Sequence, residues 1–220
     1  GVGSFPERAD CLLRLAELAS AKKDIRECGR LSDEAISSLD GSAAGIKSAG
    51  ALYGLGGVNY DNGDLGRAER LYREAAARYR CAGSVIGEAN CVYRTGEIRM
   101  ARKQYRGADG RFEAARALYR KGASPLGEAN CVFMLGEVLF RTSSYNGAGE
   151  RYRQALEQYR AAGSVLGEAN CVYSLGDVNF YSRDLSSARE SYARARPLYT
   201  KAGSKLGEDN CDRRMKELGD

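Results

Sequence analysis

The hexapeptide GEANCV occupies Gly87–Val92, Gly127–Val132 and Gly167–Val172, and a decayed copy, GEDNCD, occupies Gly207–Asp212. The spacing is 40 residues, and the likeness extends well past six letters. Leu55-Gly56, Thr95-Gly96, Leu135-Gly136 and Leu175-Gly176 keep register. So do Ala68, Ala108, Ala148 and Ala188, then Tyr72, Phe112, Tyr152 and Tyr192, then Ala75, Ala115, Ala155 and Ala195. A chain that repeats itself at this period is a stacked array, because no single unit can bury its apolar face alone.

Composition narrows the function classes. The 220 residues are 43% hydrophobic and 29% charged with a net charge of +5, an ordinary folded chain with a mild basic excess. No stretch reaches the roughly 18 apolar residues of a membrane span. The opening GVGSFPERAD has neither an initiator Met nor a signal peptide's pattern. The expectation is a fragment or processed piece of a cytoplasmic protein, with no membrane partner. Histidine is absent, which removes the commonest general base and metal ligand.

Each unit reads as two helices. In the third, Ser124 is a good N-cap, Pro125 suits the first helical position, and Glu128 complements the positive end of the dipole. That helix is predicted to reach about Arg141. Thr142-Ser143-Ser144 breaks the pattern, and a second helix runs from Tyr145 to about Ala162, with Gly163 as left-handed C-cap. Leu126, Ala129, Val132, Leu135, Gly136 and Leu139 form the predicted packing side of the first helix.

The Leu-Gly pair, the Ala twelve residues after Gly, the aromatic four later and the Ala three after that resemble the tetratricopeptide repeat. The fold this implies is an all-α, right-handed superhelical solenoid of antiparallel hairpins. The 40-residue form is similar to the arrays of spindle-orienting G-protein regulators and to those of NLR-type signalling ATPases. Two departures stand out. Leu52, Val92, Val132 and Val172 replace the family's early Trp, and Arg80, Arg120, Arg160 and Thr200 replace its closing Pro. An extended second helix accounts for the missing Pro and the added length. The organisation expected is a degenerate N-terminal capping repeat over 1–49, four repeats over 50–210, and a capping helix over 211–220.

Cys11, Cys91, Cys131, Cys171 and Cys211 share one register position. Equivalent atoms of stacked helices lie about 8–10 Å apart, beyond the roughly 7 Å a disulfide tolerates between Cα atoms, and no C-x2-C pair suggests zinc. These thiols read as small buried residues, and Cys81, near a helix end, as the most exposed one. Glu88, Glu128, Glu168 and Glu208 read as first-turn charges. No nucleophile-elbow, phosphate-loop or zinc-protease motif occurs. The chain is therefore expected to be no enzyme and to hold no metal or cofactor.

A second stripe runs along each first helix: Asn130, Phe133, Glu137, Phe140 in the third unit. Its counterparts are Tyr53 and Tyr60 in the first, Asn90, Tyr93 and Glu97 in the second, and Asn170, Tyr173, Asp177 and Phe180 in the fourth, with Asn210 beyond. The resemblance implies that first helices line a concave groove, so these residues are the candidate peptide-binding set. Asn both donates to and accepts from a peptide backbone, aromatics supply contact area, and the acids favour a basic ligand and repel an acidic C-terminal tail. The competing reading is that Asn bonds the adjoining repeat while the aromatics pack between first helices.

The second helices carry runs such as Arg67–Arg80, RAERLYREAAARYR. The function expected is a non-catalytic scaffold that binds a protein or peptide segment in the groove. Two alternatives stand beside it. One is a sensor module of a larger signalling ATPase that self-associates through the repeat ends. The other is nucleic-acid binding by the basic second helices.

Overall fold

The computed structural model describes residues 5–39 and 45–219, so the cap expected over 1–49 lies partly outside the described residues. Among these, the regular structure is α-helical throughout: α1 (Phe5–Ala21), α2 (Ile25–Leu39), α3 (Ile46–Asp61), α4 (Leu65–Cys81), α5 (Val85–Ala101), α6 (Tyr105–Lys121), α7 (Pro125–Arg141), α8 (Tyr145–Ala161), α9 (Val165–Tyr181), α10 (Leu185–Lys201) and α11 (Lys205–Glu217). Two compact units divide the chain, Gly1–Gly122 and Ala123–Asp220. The first holds the hairpins α1–α2, α3–α4 and α5–α6, and the second holds α7–α8, α9–α10 and α11. The all-α helical-hairpin class expected from the sequence is the one observed.

From α4 to α10 every helix is 17 residues long, and three residues connect each to the next. Two such steps make the 40-residue period. The additional length is therefore shared by first and second helices, rather than residing in the second alone. Starts are fixed by side chains: the hydroxyls of Ser84, Ser124, Ser164 and Ser204 accept from the backbone N–H of Gly87, Gly127, Gly167 and Gly207 at 3.3–3.4 Å. Asp64 and Asp184 do the same for Arg67 and Ser187.

Ends are fixed by a left-handed residue in each turn. Gly63, Gly83, Gly163 and Gly203 have φ between 70° and 82°, and Lys103, Ala123, Ser143 and Arg183 adopt the same region. Around it the two bonds of a Schellman closure form, as when Gly163 N–H donates to Arg160 O at 3.1 Å and Ser164 N–H to Tyr159 O at 2.9 Å. One turn geometry thus serves both the link within a hairpin and the link between hairpins.

Small residues let helices approach closely. A Cβ at Gly56, Gly96, Gly136 or Gly176 would stand 2.6–2.7 Å from the ring of Tyr72, Phe112, Tyr152 or Tyr192 of the same hairpin. The alanines at register positions 68, 108, 148 and 188, and at 75, 115, 155 and 195, are all fully buried. Cys91, Cys131, Cys171 and Cys211 are buried too, whereas Cys11 is exposed along with Cys81. Burial pushes the Cys91 and Cys171 thiols up to about 12 and that of Cys211 to about 11, so they stay protonated and inert. Leu126 departs from its expected packing role. It is 46% exposed, like Leu166 at 47%.

Because the left-handed region penalises a Cβ, the turns can be tuned one residue at a time. Gly163→Ala is expected to cost about 1 kcal/mol, and Arg183→Gly to stabilise by roughly 0.5 kcal/mol once glycine's backbone entropy is charged against it. Urea denaturation followed by circular dichroism measures both.

Candidate functional site

The site is built from a tyrosine near the end of each second helix. Tyr119, Tyr159 and Tyr199 are 5–6% exposed. Each hydroxyl donates to the carbonyl oxygen of an Asn on the first helix of its own hairpin. Tyr119 bonds Asn90 Oδ1 at 2.6 Å, Tyr159 bonds Asn130 at 2.7 Å and Tyr199 bonds Asn170 at 2.9 Å. Two of these rings meet the following helix of the second unit: a Cβ at Gly167 would overlap the Tyr159 ring, and one at Gly207 the Tyr199 ring. Tyr79 and Gly87 form the same contact in the first unit. The residue after the tyrosine completes the clasp, Arg80 reaching Glu88 at 2.6 Å and Arg160 reaching Glu168 at 2.8 Å.

GEANCV therefore has an internal use for its Gly, Glu and Asn. Asn bonds its own second helix rather than the adjoining repeat. Glu pairs across to the preceding hairpin in addition to sitting in the first turn. These tyrosines and arginines were absent from the candidate set, although their register, eight residues ahead of Gly or Glu, was readable in the sequence.

The bond leaves each Asn with a defined orientation. Its oxygen is taken, and among the described residues no acceptor meets Nδ2 of Asn90, Asn130 or Asn170. All three residues are half-buried, with Nδ2 open to solvent. Burial raises the tyrosine hydroxyls of 159 and 199 well above their ordinary value, which keeps the donating proton in place. Asn210, on α11, accepts instead from Arg213 at 2.9 Å.

In the first unit, Tyr53, Tyr60, Tyr93 and Glu97 are half-buried. Arg94, which the stripe omitted, joins two of them, with Nε on the Tyr53 hydroxyl at 3.2 Å and Nη1 on Glu97 at 2.8 Å. Tyr53 leans on Tyr72 and Tyr93 on Phe112, with ring centroids 5.4 Å apart in both pairs.

In the second unit, Phe133 and Tyr173 lean on Tyr152 and Tyr192 at 5.4 and 5.3 Å. Glu137 accepts from the Tyr152 hydroxyl at 2.6 Å and Asp177 from that of Tyr192 at 2.7 Å. Arg214 of α11 pairs with Asp177 at 2.9 Å and lies over the Phe180 ring at 5.3 Å. Phe140 meets Tyr145 and Tyr181, whose rings stack with planes 19° apart. The structure thus gathers Tyr173, Asp177 and Phe180 around Arg214, and Phe180 in turn meets Tyr181 at 5.5 Å, which links it to the aromatic cluster of Phe140.

The acids are consequently not free charges. Burial raises the Glu137 and Asp177 carboxyls, against the pull of the tyrosine hydroxyls and of Arg141 or Arg214. The second helices are also largely neutralised where the sequence is most basic. Of the five arginines in Arg67–Arg80, Arg67, Arg73, Arg78 and Arg80 pair with Asp33, Glu69, Glu74 and Glu88. No group of three or more acidic or thiol ligands suited to a metal occurs among the described residues, nor is any described helix long and apolar enough to cross a membrane.

A raised carboxyl pKa means that the folded state holds its proton more tightly than the unfolded chain. Stability is then lost as pH climbs from the unfolded value, about 4.3 for Glu, through the folded one. Glu137→Gln keeps an acceptor for Tyr152 and removes the buried charge. It is expected to match wild type at acidic pH and to exceed it at neutral pH in denaturant titrations across that range.

Residues 128–201 match the tetratricopeptide repeat family. No curated protein matches the chain in sequence. Solved structures share its fold. Aspartyl phosphate phosphatase F of Bacillus subtilis superposes with a TM-score of 0.89 at 13% identity over 96% of this chain, which spans only 56% of that protein's length. The nearly identical TPR-like repeats of a kinesin light chain from Podosopora anserina give 0.72 at 14% identity, covering 90% of this chain and 97% of that one. A Rap protein complexed with Competence and Sporulation Factor gives 0.65 at 15% identity, covering 99% and 65%. A tetratricopeptide repeat within the sequence, on a fold shared with TPR-like repeats, supports a tetratricopeptide-repeat protein.

Proposed function

We propose that the chain is a non-catalytic protein-interaction scaffold whose first helices hold an extended segment of a partner protein. The observation that carries this is the oriented carboxamide, with oxygen bound inward to tyrosine and Nδ2 open to solvent, in repeated copies. Asn130 and Asn170, on neighbouring hairpins of the second unit, offer donors only, which suits the carbonyl oxygens of a peptide backbone. Because the tyrosine fixes each side chain beforehand, little rotamer entropy is lost on binding. The aromatics beside the Asn residues supply contact area. Glu97 and Asp177, neutralised by Arg94 and Arg214, select weakly for charge. A further parallel is the Rap protein solved with Competence and Sporulation Factor, although identity of 15% extends to fold alone.

An isosteric exchange separates this reading from a purely architectural one. In Asn130→Asp with Asn170→Asp, each carboxylate still accepts from its tyrosine but has nothing to donate. The double variant is expected to remain as helical as wild type and to lose at least about tenfold in affinity for peptides that wild type captures from an array, each neutral hydrogen bond being worth about 1 kcal/mol. A wild type that captures no peptide, or a variant that binds the same peptides equally well, overturns the proposal.

A further inference from the structure

Three residues before its acid, a first helix can carry an arginine that turns back toward the preceding first helix. Arg94 does so in the first unit, reaching Tyr53 on α3 at 3.2 Å and its own Glu97 at 2.8 Å. Arg214 does so in the second unit, reaching Asp177 on α9 and its own Glu217, both at 2.9 Å, with the Phe180 ring beside it. On α9 the same position is Ser174, which makes no hydrogen bond among the described residues. The acids Glu137, Asp177 and Glu217 follow one another on α7, α9 and α11, with an arginine in the second interval and none in the first.

The first interval is nonetheless built like the second. Phe133, Glu137 and Phe140 repeat Tyr173, Asp177 and Phe180 at the same register, and each acid accepts from a tyrosine of its own hairpin. That tyrosine bond does not close the position to a cation, since Asp177 Oδ1 takes both the Tyr192 hydroxyl and Arg214. On Glu137 the hydroxyl of Tyr152 takes Oε1. Oε2 accepts no hydrogen bond from a described residue and is open to solvent; its nearest cation is Arg141, 3.9 Å away on a side chain 58% exposed. Burial, with the Asp177 charge adding to it, raises the Glu137 carboxyl against the pull of Tyr152 and Arg141, so this acid is short of a close cation.

We infer that an arginine of the bound partner segment fills the first interval, its guanidinium beside Glu137 as that of Arg214 stands beside Asp177. The inference rests on the peptide-binding reading of the first helices and names what the segment must carry. Asn130 lies two turns before Glu137 on one face, about 10.5 Å along the axis. A main chain held at Asn130 therefore has the carboxylate within reach of a long side chain. Arginine suits better than lysine, because its planar fork bonds a carboxylate and stacks on an aromatic ring.

An array of short peptides, in which each arginine-bearing member has a twin carrying the neutral isostere citrulline, tests this on wild type, Glu137→Gln and Ser174→Arg. Circular dichroism first reports whether each chain is folded. Wild type is expected to hold arginine peptides at least about tenfold more tightly than their citrulline twins, hydrogen bonds between ionised groups being the stronger kind. Glu137→Gln should lose most of that discrimination. Ser174→Arg should fill the interval from within and lose it too, which keeps the test decisive if Glu137→Gln does not fold. Twins bound alike by wild type overturn the inference and leave the scaffold reading standing. So does discrimination that survives in either folded variant. A wild type that captures no peptide of either kind overturns the scaffold reading, and this inference with it.

Discussion

One side chain ties the α7–α8 hairpin to the α9–α10 hairpin. Tyr159 sends its hydroxyl to Asn130 on α7 and lays its ring against Gly167 on α9, while its neighbour Arg160 grips Glu168. The ring fits only because Gly167 lacks a Cβ, and the hydroxyl can be buried only because Asn130 accepts its proton. An unsatisfied hydroxyl at 5% exposure would cost a substantial part of a folded unit's stability. Gly, Glu and Asn of the motif are therefore coupled through two adjacent residues outside it, Tyr159 and Arg160. That coupling explains why the three recur together, and why the hexapeptide is preserved as a block.

The same economy governs the turns. A three-residue connection with a left-handed centre closes both kinds of link, so 17-residue helices follow one another at a constant interval. Glycine fills half of the left-handed positions named above, while Lys103, Ala123, Ser143 and Arg183 adopt the conformation at some cost. Their tolerance shows that the Schellman bonds and the clasp dictate the turn, and the residue at its centre yields.

Much of this was legible in advance. The Ser caps, Pro125, the Thr142–Ser144 break and Gly163 fall where local rules place them, because caps and left-handed residues are decided within a few bonds. The burial of four of the five register cysteines also follows from repetition. What escaped was pairwise. Nothing local to Asn130 says that its oxygen is claimed 29 residues away, and nothing local to Glu137 or Asp177 reveals the hydroxyls of Tyr152 and Tyr192. Those acids looked like free ligand-facing charges because a helical wheel gives direction without neighbours. Leu126 and Cys11 failed for a related reason: register assigns a face, but contact depends on what stands opposite it.

Architecture and recognition share residues here, and this constrains how such a surface can diversify. Asn130 cannot change without disturbing Tyr159, nor Asp177 without disturbing Tyr192. The position two before Gly in the Leu-Gly pairs varies among the copies: Gly54, Arg94, Met134 and Ser174, with Arg214 in the last helix. Arg94 and Arg214 use it to reach the preceding hairpin's Tyr53 and Asp177, while Met134 and Ser174 leave the acids to tyrosine hydroxyls. Charge along the first helices is thus set in part by a residue outside the tyrosine clasp. A repeat protein can keep its clasp invariant and vary its surface at such a position, since the energy that fixes the fold and the groups that distinguish one copy from another rest on different atoms.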